Sequence, residues 1–198
     1  MVVVVQVEPR RGEFDAGAIA HYHQVIDGLL VAGITPWITL HHFTNPVWFM
    51  ELGEFENEEN LPDFVNFSTR MFQEYGGKVR HWCTINEPTV YVSMGWFSGL
   101  FPPGKTDWHT GGLVLRNLLN AHVMVYKAIK ALPHGNDSLV AIVNNIPQFE
   151  PWKPWNPMDL FISAVLDHAF NECTLQFFRT GRFNFRMLHV SVTHFNHE

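Results

Sequence analysis

The segment HWCTINEP, residues 81–88, has the pattern of a short buried strand that ends in polar residues. Residues 81–85 are largely apolar and β-prone, and Pro88 cannot continue a strand. Asn86 and Glu87 therefore lie at the carboxyl end of the predicted strand. In parallel α/β folds functional side chains gather at this position, because the loops there converge on one crevice.

Similar segments recur on both sides of residues 81–88. Further strands are predicted at residues 2–7, 36–40 and 139–143, and helices at residues 15–33, 62–76, 112–132 and 157–180. The order βαβαβαβα favours an α/β fold with a parallel sheet. A (β/α)8 barrel needs eight such units and about 250 residues. The 198 residues provide about four units, which form either an open sheet or part of a barrel.

The composition indicates a globular protein with no basic surface for nucleic acids or anionic membranes. Hydrophobic residues make up 46% of the chain, and the formal net charge is −6. Cys83 and Cys173 lie in separate apolar segments and predict neither a disulfide nor a zinc site. No apolar run has the features of a signal peptide or a membrane span, so we expect a cytoplasmic location.

Two polar clusters follow predicted strands, His41-His42 after one and Asn86-Glu87 after the next. A carboxyl group at position 87, flanked by Trp82 and Pro88, is placed to act as a general acid. Position alone favours an exposed or helix-capping glutamate over a general acid. The residue types therefore suggest proton-transfer chemistry without excluding a structural role.

Several motifs resemble those of the family 1 glycoside hydrolases, the β-glucosidases and 6-phospho-β-glucosidases, in the same order and at similar spacings. Thr-Ile-Asn-Glu-Pro at residues 84–88 is similar to the acid/base signature of that family. The other matches are Glu8-Pro9 with Gly12 and Phe14-Asp15, the segment TLHHFTNP at 39–46 with Trp48, and Pro102-Pro103-Gly104. The resemblance covers roughly residues 8–180. It implies a partial TIM (β/α)8 barrel whose predicted strands correspond to barrel strands two to five.

The resemblance also implies roles for three residues. Glu87 is expected to be the catalytic acid/base of a retaining mechanism. Asn86 is expected to hydrogen-bond the sugar 2-hydroxyl, and His42 a ring hydroxyl. His41 stands where the family often has tyrosine, and we expect it to be structural. The implied substrate is a β-glycoside, and no cofactor or metal is expected.

The sequence also departs from the family pattern. It contains no Glu-Asn-Gly motif, which in this family supplies the nucleophile, and Gln6 stands where the family has an arginine. Segments corresponding to the first and the sixth to eighth barrel strands are not found. We expect a single domain over residues 1–198, in which residues 181–198 form an atypical C-terminal tail. The chain is interpreted as a glycosidase fragment that is inactive alone.

Two other interpretations remain open. One is a non-catalytic carbohydrate-binding or interaction protein derived from a glycosidase. The other is a metal protein built from the 12 histidines, although their spacing matches no known metal motif. For a partial barrel, the sheet edges at residues 2–7 and 139–143 are expected to promote self-association or binding of a complementing fragment.

Overall fold

The computed structural model describes residues 4–188 and 190–195. Its helices and strands, in chain order, are α1 (Val4–Val7), α2 (Ala16–Val31), β1 (Trp37–His41), α3 (Val47–Glu51), α4 (Leu61–Tyr75), β2 (His81–Asn86), α5 (Pro88–Val92), α6 (Trp108–Lys130), β3 (Leu139–Val143), α7 (Pro157–Asp167), α8 (Cys173–Thr180), β4 (Arg182–Met187) and β5 (Val190–Phe195). In this part of the chain, no helix combines the length and the apolar character needed to cross a membrane.

Three strands form a parallel sheet in the order β1-β2-β3, with β2 in the centre. Trp37 is aligned with His81, and His81 with Leu139, so the three strands start at the same level. These strands confirm those predicted at residues 36–40, 81–85 and 139–143. β2 is the most buried of the three because it has a strand on each side.

The strand predicted at residues 2–7 is wrong for residues 4–7, which form helix α1. Residues 2 and 3 lie outside the described residues. The parallel sheet therefore has three strands and not four. A run of valines favours a strand only where a neighbouring strand accepts its hydrogen bonds, because β-propensity depends strongly on context. In the described part of the chain, no strand is paired with α1.

The predicted helices are confirmed. Asp15 caps α2, where its carboxylate accepts a hydrogen bond from the Ala18 N–H at 2.6 Å. Gly33 follows the end of α2 in the left-handed region at φ +73°, as expected for a helix-terminating glycine. The fourth predicted helix is interrupted by a π-helical turn, His168–Glu172, which joins α7 to α8.

The chain divides into two compact units, each described here by itself. The first contains the described residues up to Glu87 together with Asn120–Val143, and it holds the parallel sheet. Trp82 of β2 is fully buried in its core and packs against Phe72 of α4, with ring centroids 5.0 Å apart. Cys83 is also buried and carries a free thiol.

The second unit contains Pro88–Leu119 and the described residues from Asn144 onward. The segment after Gly181 forms an antiparallel hairpin of β4 and β5. Phe183 and Phe185 of β4 are buried, and the Phe185 ring stacks on Phe97 at 5.8 Å. The predicted tail thus contributes apolar side chains to the core of this unit.

Candidate functional site

The candidate site residues lie at the carboxyl end of the parallel strands, inside the first unit. His42 directly follows β1, Asn86 is the last residue of β2, and Glu87 comes next. His41 is aligned with Ile85, so the two parallel strands end at the same level. The structure therefore brings His42, Asn86 and Glu87 to the same end of the parallel sheet. His42 is exposed, whereas Asn86 and Glu87 are half-buried.

Glu87 adopts an unusual backbone conformation, with φ at +46°. For a residue with a β-carbon, this left-handed conformation costs about 1–2 kcal/mol. The Glu87 N–H donates a hydrogen bond to the Val143 carbonyl at 2.8 Å, which ties the turn to the end of β3. Strained backbone of this kind is concentrated at functional sites. The turn separates the end of β2 at Asn86 from the start of α5 at Pro88.

A β-bulge lies immediately before this turn. Between Cys83 and Asn86 the register of β2 against β3 shifts, because Cys83 is aligned with Ala141 but Asn86 with Val143. Three steps along β2 therefore match two steps along β3. Bulges next to active sites change the direction of side chains. Here the bulge directly precedes Glu87, the candidate acid/base residue.

Sequence reasoning missed the contacts that Thr84, in the bulged part of β2, makes with distant residues. The Thr84 hydroxyl lies 2.7 Å from Nδ1 of His122, a buried residue of α6, and donates a hydrogen bond to the Ala141 carbonyl at 3.3 Å. Burial lowers the pKa of His122 from 6.5 to about 4, so its ring is neutral at neutral pH. The 38 positions between Thr84 and His122 carry no local signal of their contact.

The adjacent residues His41 and His42 have different surroundings. The His41 ring is buried and makes edge-to-face contacts with Phe55 and Phe64, at centroid distances of 5.2 Å and 6.2 Å. Burial lowers the pKa of His41 from 6.5 to about 4. A buried neutral imidazole among phenyl rings supports the structural role expected for His41. His42 is exposed to solvent, where a ligand can reach it.

A buried carboxyl group, that of Glu8, lies elsewhere in the same unit. Glu8 is 3% exposed and lines a cavity of ≈ 20 Å³ together with His41, Trp48 and Asp63. One Glu8 carboxylate oxygen accepts a hydrogen bond from the Gly12 N–H at 2.8 Å. Burial raises the pKa of Glu8. Glu8 belongs to a motif quoted above, but its depth was not predicted from the sequence.

The structure and the comparisons with known proteins identify the same kind of protein. A family model for glycosyl hydrolase family 1 matches residues 7–194, including most of the segment after residue 180. β-Glucosidase A of Thermotoga maritima is 29% identical over 181 residues, which are 85% of this chain and 40% of that protein. The cytosolic β-glucosidase of Cavia porcellus is 34% identical over 162 residues, covering 81% of this chain and 34% of that protein.

A solved structure gives the same result. The β-glycosidase from Pyrococcus horikoshii superposes with a TM-score of 0.86 at 32% identity, covering 97% of this chain and 43% of that one. The expected fold class, a partial (β/α)8 barrel, is confirmed by this likeness together with the parallel sheet. The chain spans 34% to 43% of the length of these three relatives. On this evidence the chain belongs to glycosyl hydrolase family 1.

Proposed function

We propose that this chain carries the acid/base half of a retaining, β-glucosidase-like active site that hydrolyses O-glycosyl bonds. The observation that carries the proposal is the placement of Glu87, Asn86 and His42 at one edge of the sheet in a family 1 chain. Parallel α/β folds place their catalytic groups at this edge. The left-handed turn at Glu87 further supports a functional role for this residue.

In the proposed mechanism Glu87 transfers protons in both steps. It first donates a proton to the glycosidic oxygen while a second carboxylate attacks the anomeric carbon and the bond to the leaving group breaks. It then removes a proton from the water that releases the sugar from the second carboxylate. Asn86 would hydrogen-bond the 2-hydroxyl, and His42 a further ring hydroxyl.

The second carboxylate has to lie about 5 to 5.5 Å from the first. The 198 residues contain no Glu-Asn-Gly motif to supply it. General acid catalysis alone contributes only about 10² to 10⁴ in rate, which is far below the acceleration of a glycosidase. We therefore expect the isolated chain to show essentially no turnover.

The test combines hydrolysis with binding. An aryl β-glucoside is the hydrolysis substrate, and glucoimidazole, the ligand in a solved Thermotoga maritima β-glucosidase, is the binding probe. We expect no hydrolysis by the wild type and measurable binding, which His42→Ala weakens and His21→Ala, at an exposed position on α2, does not. Robust hydrolysis that Glu87→Gln abolishes would contradict the expected inactivity and locate a nucleophile within this chain. Binding that is insensitive to both His42→Ala and Glu87→Gln would contradict the proposed site.

A second candidate function is non-catalytic carbohydrate binding or protein interaction. The lack of a Glu-Asn-Gly motif favours it, because a site without a nucleophile can still bind sugars. Adding a chain that carries the missing barrel strands separates the two candidates. Restored hydrolysis supports the enzyme, whereas sugar binding that persists in Glu87→Gln without any restored turnover supports the binding protein.

We further propose that the chain forms one partial-barrel domain and acts in the cytoplasm. The match of a single family model over residues 7–194 supports the first statement. The relative from Cavia porcellus, named as a cytosolic β-glucosidase, supports the second. Expression with a fluorescent label checks the location, and accumulation outside the cytoplasm would contradict it.

A further inference from the structure

The contact between His122 and Thr84 lies directly behind the candidate site. Thr84 is fully buried and occupies the bulged part of β2, two residues before Asn86. A bulge leaves backbone groups outside the regular ladder, and such a distortion persists only where other interactions stabilise it. The Thr84 hydroxyl bridges this part of β2 to Ala141 on β3 and to His122 on α6.

The Thr84 hydroxyl makes two hydrogen-bond contacts. A threonine hydroxyl has one hydrogen to donate and can also accept. The hydroxyl donates to the Ala141 carbonyl at 3.3 Å and lies 2.7 Å from Nδ1 of His122, where the direction of the bond depends on the histidine tautomer. We assign the hydrogen to Nδ1, so that the hydroxyl accepts from His122 and donates to Ala141. The result is a chain of hydrogen bonds from His122 through Thr84 to Ala141. A neutral ring with its hydrogen on Nδ1 satisfies both contacts.

The chain of hydrogen bonds is connected to the turn at Glu87 through the end of β3. Ala141 is aligned with Cys83 before the bulge, and two residues later Val143 accepts the N–H of Glu87 at 2.8 Å. Two hydrogen bonds therefore join this segment to β3, one from Thr84 within the register shift and one from Glu87 beyond it. Loss of the first allows the extra residue to relax into another register.

We propose that His122 is a positioning residue, which acts through Thr84 to hold the β-bulge that sets the direction of Asn86 and Glu87. The importance of that direction rests on the proposed function of Glu87. His122 does not touch the substrate in this proposal. It supplies a rigid donor from α6, and the lowered pKa that follows from its burial keeps it in one neutral form over the whole physiological range.

The experiment measures the conformation of the turn and needs no turnover or sugar binding. Amide hydrogen exchange of Glu87 reports on its bond to Val143 in the full chain. In Thr84→Val, which keeps the shape and removes the hydroxyl, we expect this amide to exchange about tenfold faster, the effect of losing roughly one hydrogen bond. Thr84→Ser keeps the hydroxyl and is expected to restore the wild-type rate.

The matched control is Val125→Ala, which removes apolar volume from the fully buried Val125 on the same helix. It lowers the free energy of unfolding and leaves both Thr84 and His122 in the sequence. If the Glu87 amide exchanges equally fast in Thr84→Val and Val125→Ala, global destabilisation explains the effect and the proposal is overturned. Faster exchange in Thr84→Val alone, reversed in Thr84→Ser, supports it.

A second measurement requires no variant. Two-bond ¹⁵N–¹H correlations distinguish the two neutral tautomers of a histidine. We expect the His122 hydrogen on Nδ1 in the wild type, and a hydrogen on Nε2 would overturn the direction of the chain of hydrogen bonds. His122→Asn, which retains an N–H donor near this place, is expected to protect the Glu87 amide better than His122→Ala, and equal protection in the two variants would count against the proposal. If the exchange and tautomer results are as expected but the chain does not bind sugar, the proposed function is refuted and the positioning role of His122 is not.

Discussion

At the scale of single residues, the first unit keeps two histidines in neutral form. Burial lowers the pKa of both His41 and His122 to about 4 from an ordinary value of 6.5. The unfolded chain binds these two protons near pH 6.5, whereas the folded chain binds them only near pH 4. Stability from this source is therefore complete above pH 6.5 and declines as the pH falls toward 4.

We predict that the free energy of unfolding falls by about 1.5 kcal/mol per histidine between pH 6.5 and pH 5. The measurement is urea unfolding at a series of pH values. His122→Gln, which cannot titrate there, is expected to lose about half of this pH dependence, while His21→Gln at an exposed position keeps all of it. A slope unchanged by His122→Gln would show that His122 does not titrate as described.

Glu8 is predicted to depend on pH in the opposite direction. Burial raises its pKa, so the ionised form is disfavoured in the folded chain and costs stability as the pH rises above the ordinary value of 4.5. Glu8→Gln keeps an acceptor for the Gly12 N–H and removes the charge. We expect it to raise the free energy of unfolding at pH 7 and to change it little at pH 4.

The control for Glu8→Gln is Glu13→Gln, at an exposed carboxylate 3.1 Å from Arg10. Because surface ion pairs contribute little, this variant should change the stability by less than about 0.5 kcal/mol at either pH. A stability loss in Glu8→Gln at pH 7 would mean that the Glu8 carboxylate is compensated by interactions stronger than its desolvation.

At the scale of structural elements, the connection from α6 to β3 determines where the third strand starts. Gly135 is buried in this connection, and its carbonyl accepts a hydrogen bond from the Lys130 ammonium at 3.0 Å. The same ammonium binds the Ser138 carbonyl at 2.6 Å. An added β-carbon on Gly135 would lie 2.0 Å from the Ile129 carbonyl oxygen, so the backbone itself would have to move.

We predict that Gly135→Ala lowers the free energy of unfolding by about 3 kcal/mol, because the clash is with backbone atoms. The matched control is Gly28→Ala in the exposed part of α2, where a β-carbon meets nothing within 4 Å. This control should stabilise the chain by about 0.5 to 1 kcal/mol, the usual gain in a helix interior. Thermal or urea unfolding of the two variants measures both effects, and equal effects would contradict the steric argument.

At the scale of the whole molecule, each unit exposes apolar surface that proteins usually cover. Leu139 and Val143 of the edge strand β3 are 61% and 39% exposed. In the second unit, α7 has no buried residue, and Phe161 on it is 53% exposed. Apolar edge strands pair readily with other chains. Self-association or fragment binding through the sheet edges stays a prediction. Of the two segments expected to form these edges, residues 139–143 form the edge strand β3.

We predict that the chain self-associates at micromolar concentration. Light scattering measures the mass, and Leu139→Lys should reduce the association, because a lysine on an edge strand opposes pairing. The control Val31→Lys changes the last residue of α2, a valine that is 91% exposed. This change should leave the association unchanged. A sharp monomer peak for the wild type with cooperative unfolding would contradict the prediction.

The sequence by itself determined the local elements and the location of the candidate site. Asp15 and Gly33 mark the ends of α2 because a capping carboxylate and a left-handed glycine act over a few residues. The end of β2 at Asn86 follows from the change from apolar to polar residues before Pro88. The short-range patterns and the family motifs were enough to place Glu87 and His42 at one edge of the sheet.

Only the tertiary structure decided the features that depend on distant partners. Residues 4–7 are helical although their valines favour a strand, since a strand needs a neighbour that local sequence cannot specify. The bulge between Cys83 and Asn86 depends on β3, and the bond from Thr84 to His122 joins residues 38 positions apart. The burial of Glu8 likewise follows from packing around Trp48 and Asp63. Such contacts form only when the chain folds, because their energies come from groups that are far apart in the sequence.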